Sequence, residues 1–249
     1  MPPCVNATLK RPRMPKPKAV ISLFDLTGQM CKPWADAGYQ CFIFDSQHGE
    51  AYRWAWQGRT TRVGGDASTW GEALAQAFMA YDVQMVLGFP PCTDLATSGN
   101  RWKAAKAEAN PNYLADALAL VYLVRDIGEA HKTPYMIENP IGLVNSHWRK
   151  PDHMFHPCDF GGYLPEDDTS PYPDILPARD AYAKKTCLWT GNGFVMPAKR
   201  PVEPEKYQDR NGLNYSALHW KLGGKSLRTK NIRSATPRGF AKAVFAANS

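Results

Sequence analysis

The sequence predicts an α/β protein built on one doubly wound, mostly parallel, Rossmann-like sheet, with a small irregular C-terminal part. Two patterns predict it. Apolar runs at 19–25, 41–45, 83–88 and 134–138 alternate with stretches of helical spacing, as successive βαβ units require. Most of these runs also end abruptly, in Asp25, Asp45, Gly88 and Glu138, so polar and flexible residues gather where an α/β sheet keeps its site, at the carboxyl ends of the strands.

Composition sets the bounds. The 249 residues, 44% hydrophobic and 21% charged, suffice for a full globular core. No apolar run reaches the roughly 20 residues of a membrane span, so no membrane association is expected. The six cysteines, Cys4, Cys31, Cys41, Cys92, Cys158 and Cys187, are scattered without a Cys-x-x-Cys pair. That pattern favours reduced thiols in a cytoplasm over a disulfide scaffold. A net charge of +7 and a pI near 9.1 suit a polyanionic partner such as nucleic acid without identifying one. Residues 1–18 hold five prolines and five Lys or Arg and no apolar h-region, and read as a disordered basic arm rather than a signal peptide.

In chain order, Val20–Asp25 is a strand that runs into Leu26-Thr27-Gly28, a helix-compatible stretch towards Gly38, and a second strand ending at Asp45. This is the outline of a nucleotide half-site: a glycine lets the backbone approach a ligand, and an acid accepts ribose hydroxyls. Gly28 and Asp45 lie 17 residues apart. No G-x-G-x-x-G is present, which disfavours NAD or FAD and favours a ligand without phosphates. An ordinary βαβ turn stays open on these residues alone. Arg62–Asp66 reads as a short strand ending in an acid that is either a loop residue or a partner for an adenine amino group. Ser68 is placed as the cap of a helix through about Met79.

Met85–Gly88 feeds Phe89-Pro90-Pro91-Cys92-Thr93 and a polar loop to Gly99. Two prolines stiffen the approach to Cys92, as a nucleophile requires; a buried, inert thiol is the alternative. Arg101, Trp102 and Lys103 form a basic loop with an aromatic, suited to phosphate contact and base stacking, or to a solvated face. Asn110-Pro111 opens a packing helix to about His131. Tyr135-Met136-Ile137 then delivers Glu138-Asn139-Pro140, and a carboxylate at a buried strand end calls for a function. His147, His153, His156 and Cys158 match no zinc spacing, so no metal is expected. Residues 161–179 read as a long loop. Strand character resumes after Lys184-Lys185, and 200–233 reads as irregular, with a basic stretch from Trp220 that holds Lys225, Arg228 and Lys230. Thr236-Pro237 caps a last helix. The resulting division is an arm (1–18), a catalytic domain (19–199), a nucleic-acid-contacting segment (200–235) and a terminal helix (236–249).

Taken together, these motifs resemble the DNA cytosine-5 methyltransferases, in particular compact bacteriophage-type members with little or no target-recognition domain. Phe24-Asp25-Leu26-Thr27-Gly28 resembles the first motif of that family, Asp45 its ribose-binding acid and Asp66 its adenine-contacting acid. Gly88-Phe89-Pro90-Pro91-Cys92 resembles the Pro-Cys nucleophile loop, and Ile137-Glu138-Asn139-Pro140 the Glu-Asn-Val motif. The departures are Thr93 for the usual Gln, Pro140 for Val, and Lys184-Lys185 where a Gln-x-Arg-x-Arg motif usually stands. About sixty residues follow Trp189, fewer than a large recognition domain needs.

The resemblance implies an S-adenosylmethionine cofactor held by Phe24, Asp25, Thr27, Gly28, Asp45, Asp66 and Pro90, and catalysis by Cys92, Glu138 and Asn139. It implies DNA as partner, contacted by Arg101, Trp102, Lys103, Lys184, Lys185, Lys225, Arg228 and Lys230. The protein is expected to act as a monomer in the cytoplasm, that of a bacterial host if phage-encoded. The alternatives are an amino-methyltransferase, a silent nucleic-acid-binding relative, and the same thiol chemistry on a pyrimidine nucleotide or with a modified donor.

Overall fold

The computed structural model describes residues 15–49, 55–224 and 226–249. One eight-stranded sheet contains β1 (Lys18–Leu23), β2 (Gln40–Phe44), β3 (Ala55–Gln57), β4 (Thr60–Val63), β5 (Asp82–Gly88), β6 (Tyr135–Pro140), β7 (His153–Phe155) and β8 (Thr186–Gly191). A separate hairpin pairs β9 (Lys206–Gln208) with β10 (Asn214–Ser216). The helices are α1 (Lys32–Asp36), α2 (Gly71–Ala80), α3 (Lys103–Ala109), α4 (Tyr113–His131), α5 (Val144–His147), α6 (Ala217–Lys221), α7 (Leu227–Ser234) and α8 (Arg238–Asn248).

The sheet order is β3-β4-β2-β1-β5-β6-β8-β7, and β4, β2, β1, β5 and β6 run parallel. Numbered by appearance, those five follow the 3-2-1-4-5 order of a doubly wound sheet, compatible with a Rossmann-like fold. The order reverses between β1 and β5, and such a switch point opens a ligand crevice at the carboxyl edge. The central strands are buried on both faces, which is why they read as unbroken apolar runs. Ile21 and Leu23 pack with Trp70, Leu74, Val121 and Val124 on the α2/α4 side. Val20, Ile43 and Met85 pack with Trp34 of α1 and with Phe240 and Val244 of α8 on the other. Strand β8 runs antiparallel between β6 and β7, so its first residues lie at the same edge as the end of β6, with Thr186 opposite Pro140.

Several boundaries differ from the sequence reading. Ser68 does not cap a helix: its N–H and hydroxyl both bind Asp66 Oδ1, at 2.9 and 2.6 Å, in a 3₁₀ turn over Ala67–Thr69, and α2 begins at Gly71. Asn110 Oδ1 accepts from Asn112 N–H at 2.9 Å, which postpones α4 to Tyr113. The basic loop at 101–103 is instead the end of a 3₁₀ turn, Thr97–Trp102, running into α3, whose alanines and lysines are strong helix formers. The irregular stretch 200–233 holds the β9–β10 hairpin, α6 and α7, stabilised by a third apolar cluster around Ile175, Tyr182, Leu218 and Ile232. Residues 1–14 of the expected arm and Lys225 lie outside the described residues, while Lys18 already belongs to β1. Among the described residues, no helix is long and apolar enough to cross a membrane.

Candidate active site

Strand register builds the site. Val63, Phe44, Leu23, Gly88 and Ile137 lie side by side across β4, β2, β1, β5 and β6. The residues that follow them are Gly64, Asp45, Phe24, Phe89 and Glu138, so these form the next row. Backbone bonds continue across it: Asp45 N–H to Val63 O at 3.1 Å, Asp25 N–H to Phe44 O at 3.0 Å, and Phe89 N–H to Leu23 O at 3.0 Å. At about 4.8 Å per strand, the row spans roughly 20 Å.

At the end of β1, Phe24 has φ 59°, a left-handed conformation rare for a bulky residue and a mark of functional loops. Its ring lies 5.2 Å from that of Trp70. The buried Asp25 turns inward, accepting from Ser22 Oγ at 2.8 Å, Gly28 N–H at 2.7 Å and Thr27 Oγ1 at 3.3 Å. Burial pushes its carboxyl up, against the pull of these bonds and of His48. Asp25 and Thr27 therefore shape the turn on which Gly28, at φ 67°, passes close to Ile43.

At the end of β2, Asp45 Oδ1 accepts Gln47 N–H at 2.8 Å, and its Oδ2 has no partner among the described residues. His48 reaches back to Leu26 O at 3.1 Å through Nε2, while its buried Nδ1 has no partner among the described residues. At the end of β4, Trp70 Nε1 donates to the carbonyls of Gly64 and Gly65, both at 3.2 Å. A Cβ on Gly64 would lie 2.4 Å from Gly49 O, so only glycine lets these two turns touch. Asp66 stands just beyond, exposed.

The loop after β5 is locked to the end of β6. Asn139, 1% exposed, donates from Nδ2 to Pro90 O at 2.8 Å, and its buried Oδ1 has no partner among the described residues. Pro90 is buried. Leu143 N–H donates to Leu95 O at 2.7 Å and Thr97 N–H to Ile141 O at 3.2 Å, and Ala96 bridges to Gly142. Between these ties the carbonyl of Cys92 accepts from Leu95 and Ala96 at 3.1 and 2.9 Å.

Cys92 is the one exposed cysteine among the described residues. Solvent reaches the residue, yet the surrounding protein desolvates its sulfur and pushes the thiol up. The Glu138 carboxylate adds to the rise and the Lys184 ammonium opposes it. Lys184 Nζ stands 3.7 Å from Glu138 Oε1 and donates to Arg233 O at 3.0 Å, which fastens α7 to the edge where β6 ends. Asn231 of the same helix reaches Gln47 Oε1 at 3.5 Å. Helix α7 therefore spans from the β2 end to the β8 start.

Of the expected nucleic-acid residues, Trp102 and Lys230 meet in a cleft of about 360 Å³ beside Thr93. Arg101, whose guanidinium lies 5.3 Å from the Trp102 ring centre, Lys103, Lys185 and Arg228 are exposed but do not line it. Sequence reading passed over His48, while Lys106 and Arg233 stood inside the two basic stretches it marked, 100–106 and 220–233, without being singled out as site residues. The basic character of 101–106 was a signal for Lys106, whereas nothing local distinguishes a histidine three residues after a strand-end acid.

Neither the models of known families nor the curated proteins give a match to this chain.

Proposed function

We propose that the protein is a DNA cytosine-5 methyltransferase that works with S-adenosylmethionine. The observation that carries this reading is the junction of β5 and β6, where an exposed cysteine on a proline-stiffened loop is tied through Asn139 to the strand that ends in Glu138. The other end of the row suits the cofactor. Asp45 Oδ2 is an acceptor that ribose hydroxyls would engage, His48 Nδ1 is a buried polar atom with no partner among the described residues, and Phe24 with Trp70 offers an aromatic wall for a purine. When bound, S-adenosylmethionine supplies an electrophilic methyl group.

The side chains account for the remaining chemistry. Burial, with Glu138 nearby, holds the Cys92 thiol above its ordinary range, so its proton has to be taken before it can attack. Passing the thiol proton to Glu138 gives a thiolate and a carboxylic acid together. The thiolate adds to C6 of cytosine while Glu138 donates its proton to N3, so that electron density moves to C5 and C5 becomes the nucleophile. After C5 has gained the methyl group, loss of the C5 proton to a base, expulsion of the Cys92 thiolate and return of the N3 proton restore the ring. Asn139 acts as a positioning residue, fixing the carbonyl two residues before the nucleophile. A base in a duplex must first be flipped out.

A 5-fluorocytosine in DNA tests the reading, because fluorine cannot leave C5 as a proton does. Incubation with S-adenosylmethionine is expected to trap an adduct on Cys92, identified by peptide mass spectrometry and absent in Cys92→Ser. Mapping to another cysteine, or methylation that survives in Cys92→Ala, would overturn it.

A further inference from the structure

The sheet order sets β2 and β8 on opposite sides of the crevice that opens between β1 and β5, and α7 touches both sides. Asn231 Nδ2 donates to Gln47 Oε1 at 3.5 Å, and Gln47 is the residue whose N–H binds Asp45. Two residues on, the carbonyl of Arg233 accepts from Lys184, which in turn stands against Glu138. A helix of eight residues thus bridges the mouth of the crevice, from beside Asp45 to beside Glu138. Under its junction with α8, a cavity lined by Thr27, Gln29, Tyr182 and Thr236 measures about 40 Å³. That admits water and falls far below the several hundred Å³ of a small-molecule pocket.

Little else holds α7 down. Of its residues only Thr229 and Ile232 are buried. Its outer side walls the cleft beside Thr93, where Lys230 and Arg233 face Lys106. Among the described residues an acid pairs with Lys106, Asp94 at 2.7 Å, and none with Lys230 or Arg233, so like charges push the two walls apart. Gly223 and Gly224 stand ahead of the helix with open space where a Cβ would lie, the freedom a hinge uses. Beyond it, α8 is anchored by Phe240, Ala243 and Val244, so movement stops there.

We infer that α7 is a movable strap over the cofactor crevice, released for S-adenosylmethionine to enter and reseated once the ribose engages Asp45; this rests on the methyltransferase reading. A helix with two buried residues and two polar ties opens at a small fraction of the cost of global unfolding, and lids of this kind close over what they admit. Reseating has a second consequence. The bond from Lys184 to Arg233 O exists only while α7 is seated, and it holds Lys184 beside Glu138. The cofactor end and the catalytic acid are therefore linked through one element with two positions.

Hydrogen exchange of the full chain, read by mass spectrometry, tests the strap. Without ligand, α7 amides such as Lys230 N–H, which bonds Ser226 O, are expected to exchange at least about 10-fold faster than those of α8. S-adenosylhomocysteine, the cofactor without its methyl group, is expected to slow them by a similar factor. Asn231→Ala strengthens the helix itself but removes the tie to Gln47. It is expected to raise α7 exchange, and the rate at which S-adenosylhomocysteine is released, about 2–5-fold. Gly223→Ala fills open space and stiffens the hinge, and is expected to lower both by about 2–5-fold. Exchange of α7 no faster than that of α8 in the free protein, or parent rates in both variants, would overturn the strap. Calorimetry separates this result from the underlying reading. Binding of S-adenosylhomocysteine that leaves α7 exchange unchanged overturns the strap alone. No binding, together with no trapping of 5-fluorocytosine, overturns the methyltransferase reading and with it the strap's ligand.

Discussion

Burial does most to raise the Cys92 thiol, and two charges of opposite sign then add to and oppose that rise. Burial and Glu138 raise the thiol, while Lys184 lowers it. Glu138→Gln is therefore expected to move the pH midpoint of Cys92 alkylation down, and Lys184→Gln to move it up, in a Cys4→Ser background where the remaining cysteines are buried. Mass-spectrometric alkylation rates across pH check both signs, and equal midpoints would remove the two charges from the thiol's surroundings. Asn139 is the other decisive residue. Asn139→Ala leaves the Pro90 carbonyl unpaired in a buried setting and is expected to cost about 1–3 kcal/mol in denaturant unfolding, with loss of adduct trapping at unchanged cofactor affinity. Cys92 was legible as a candidate from its proline-stiffened loop, and Asn139 through the resemblance of Ile137-Glu138-Asn139-Pro140 to the Glu-Asn-Val motif. Their mutual tie was not legible, since 49 residues separate Asn139 from Pro90 and only the pairing of β5 with β6 makes them neighbours.

At the level of elements, the carboxyl edge of the sheet depends on two loops that run against each other after β5 and β6. Gly142 permits this: a Cβ there would lie 1.9 Å from Leu95 O, a backbone atom that cannot move aside cheaply. Gly142→Ala is expected to lower stability by about 1–3 kcal/mol, as overpacking does, and to weaken hydrogen-exchange protection at Leu143 N–H, which donates to that same carbonyl. Protection equal to that of the parent would mean that the loops part without consequence. Helix α7 shows how local pattern fails. Its stretch is polar and basic, with few apolar residues to mark a period, and it folds because Ile232 reaches the third apolar cluster and Ser226 caps Thr229 N–H at 3.1 Å. A helix held by one apolar contact and its caps leaves little trace in periodicity.

Across the whole molecule, α8 closes the second face of the sheet. Phe240 stacks on Phe155 at 4.1 Å within the cluster that contains Val20 and Met85, so Phe240→Ala is expected to cost about 3–5 kcal/mol, read as a fall in the denaturation midpoint. Arg238 at the start of α8 binds both Asp168 oxygens, at 2.7 and 2.6 Å. Burial would raise the Asp168 carboxyl, but Arg238 and the Arg179 N–H outweigh it and hold it below the ordinary range. A carboxyl lowered by folding contributes stability above its unfolded value and loses it as pH falls through the folded one. Asp168→Asn should accordingly melt lower near neutral pH and lose less than the parent on acidification. The sequence by itself determined the class of fold, the four central strands and the residues that end them, because parallel strands buried on both faces must be apolar throughout and must stop where the backbone meets solvent. Only the tertiary structure decided that Asp25 folds inward to shape its own loop, that β8 enters reversed and sets Lys184 against Glu138, and that α7 crosses the edge to close a cationic cleft. Each of these depends on contacts between residues distant in the chain, which packing selects and local pattern does not encode.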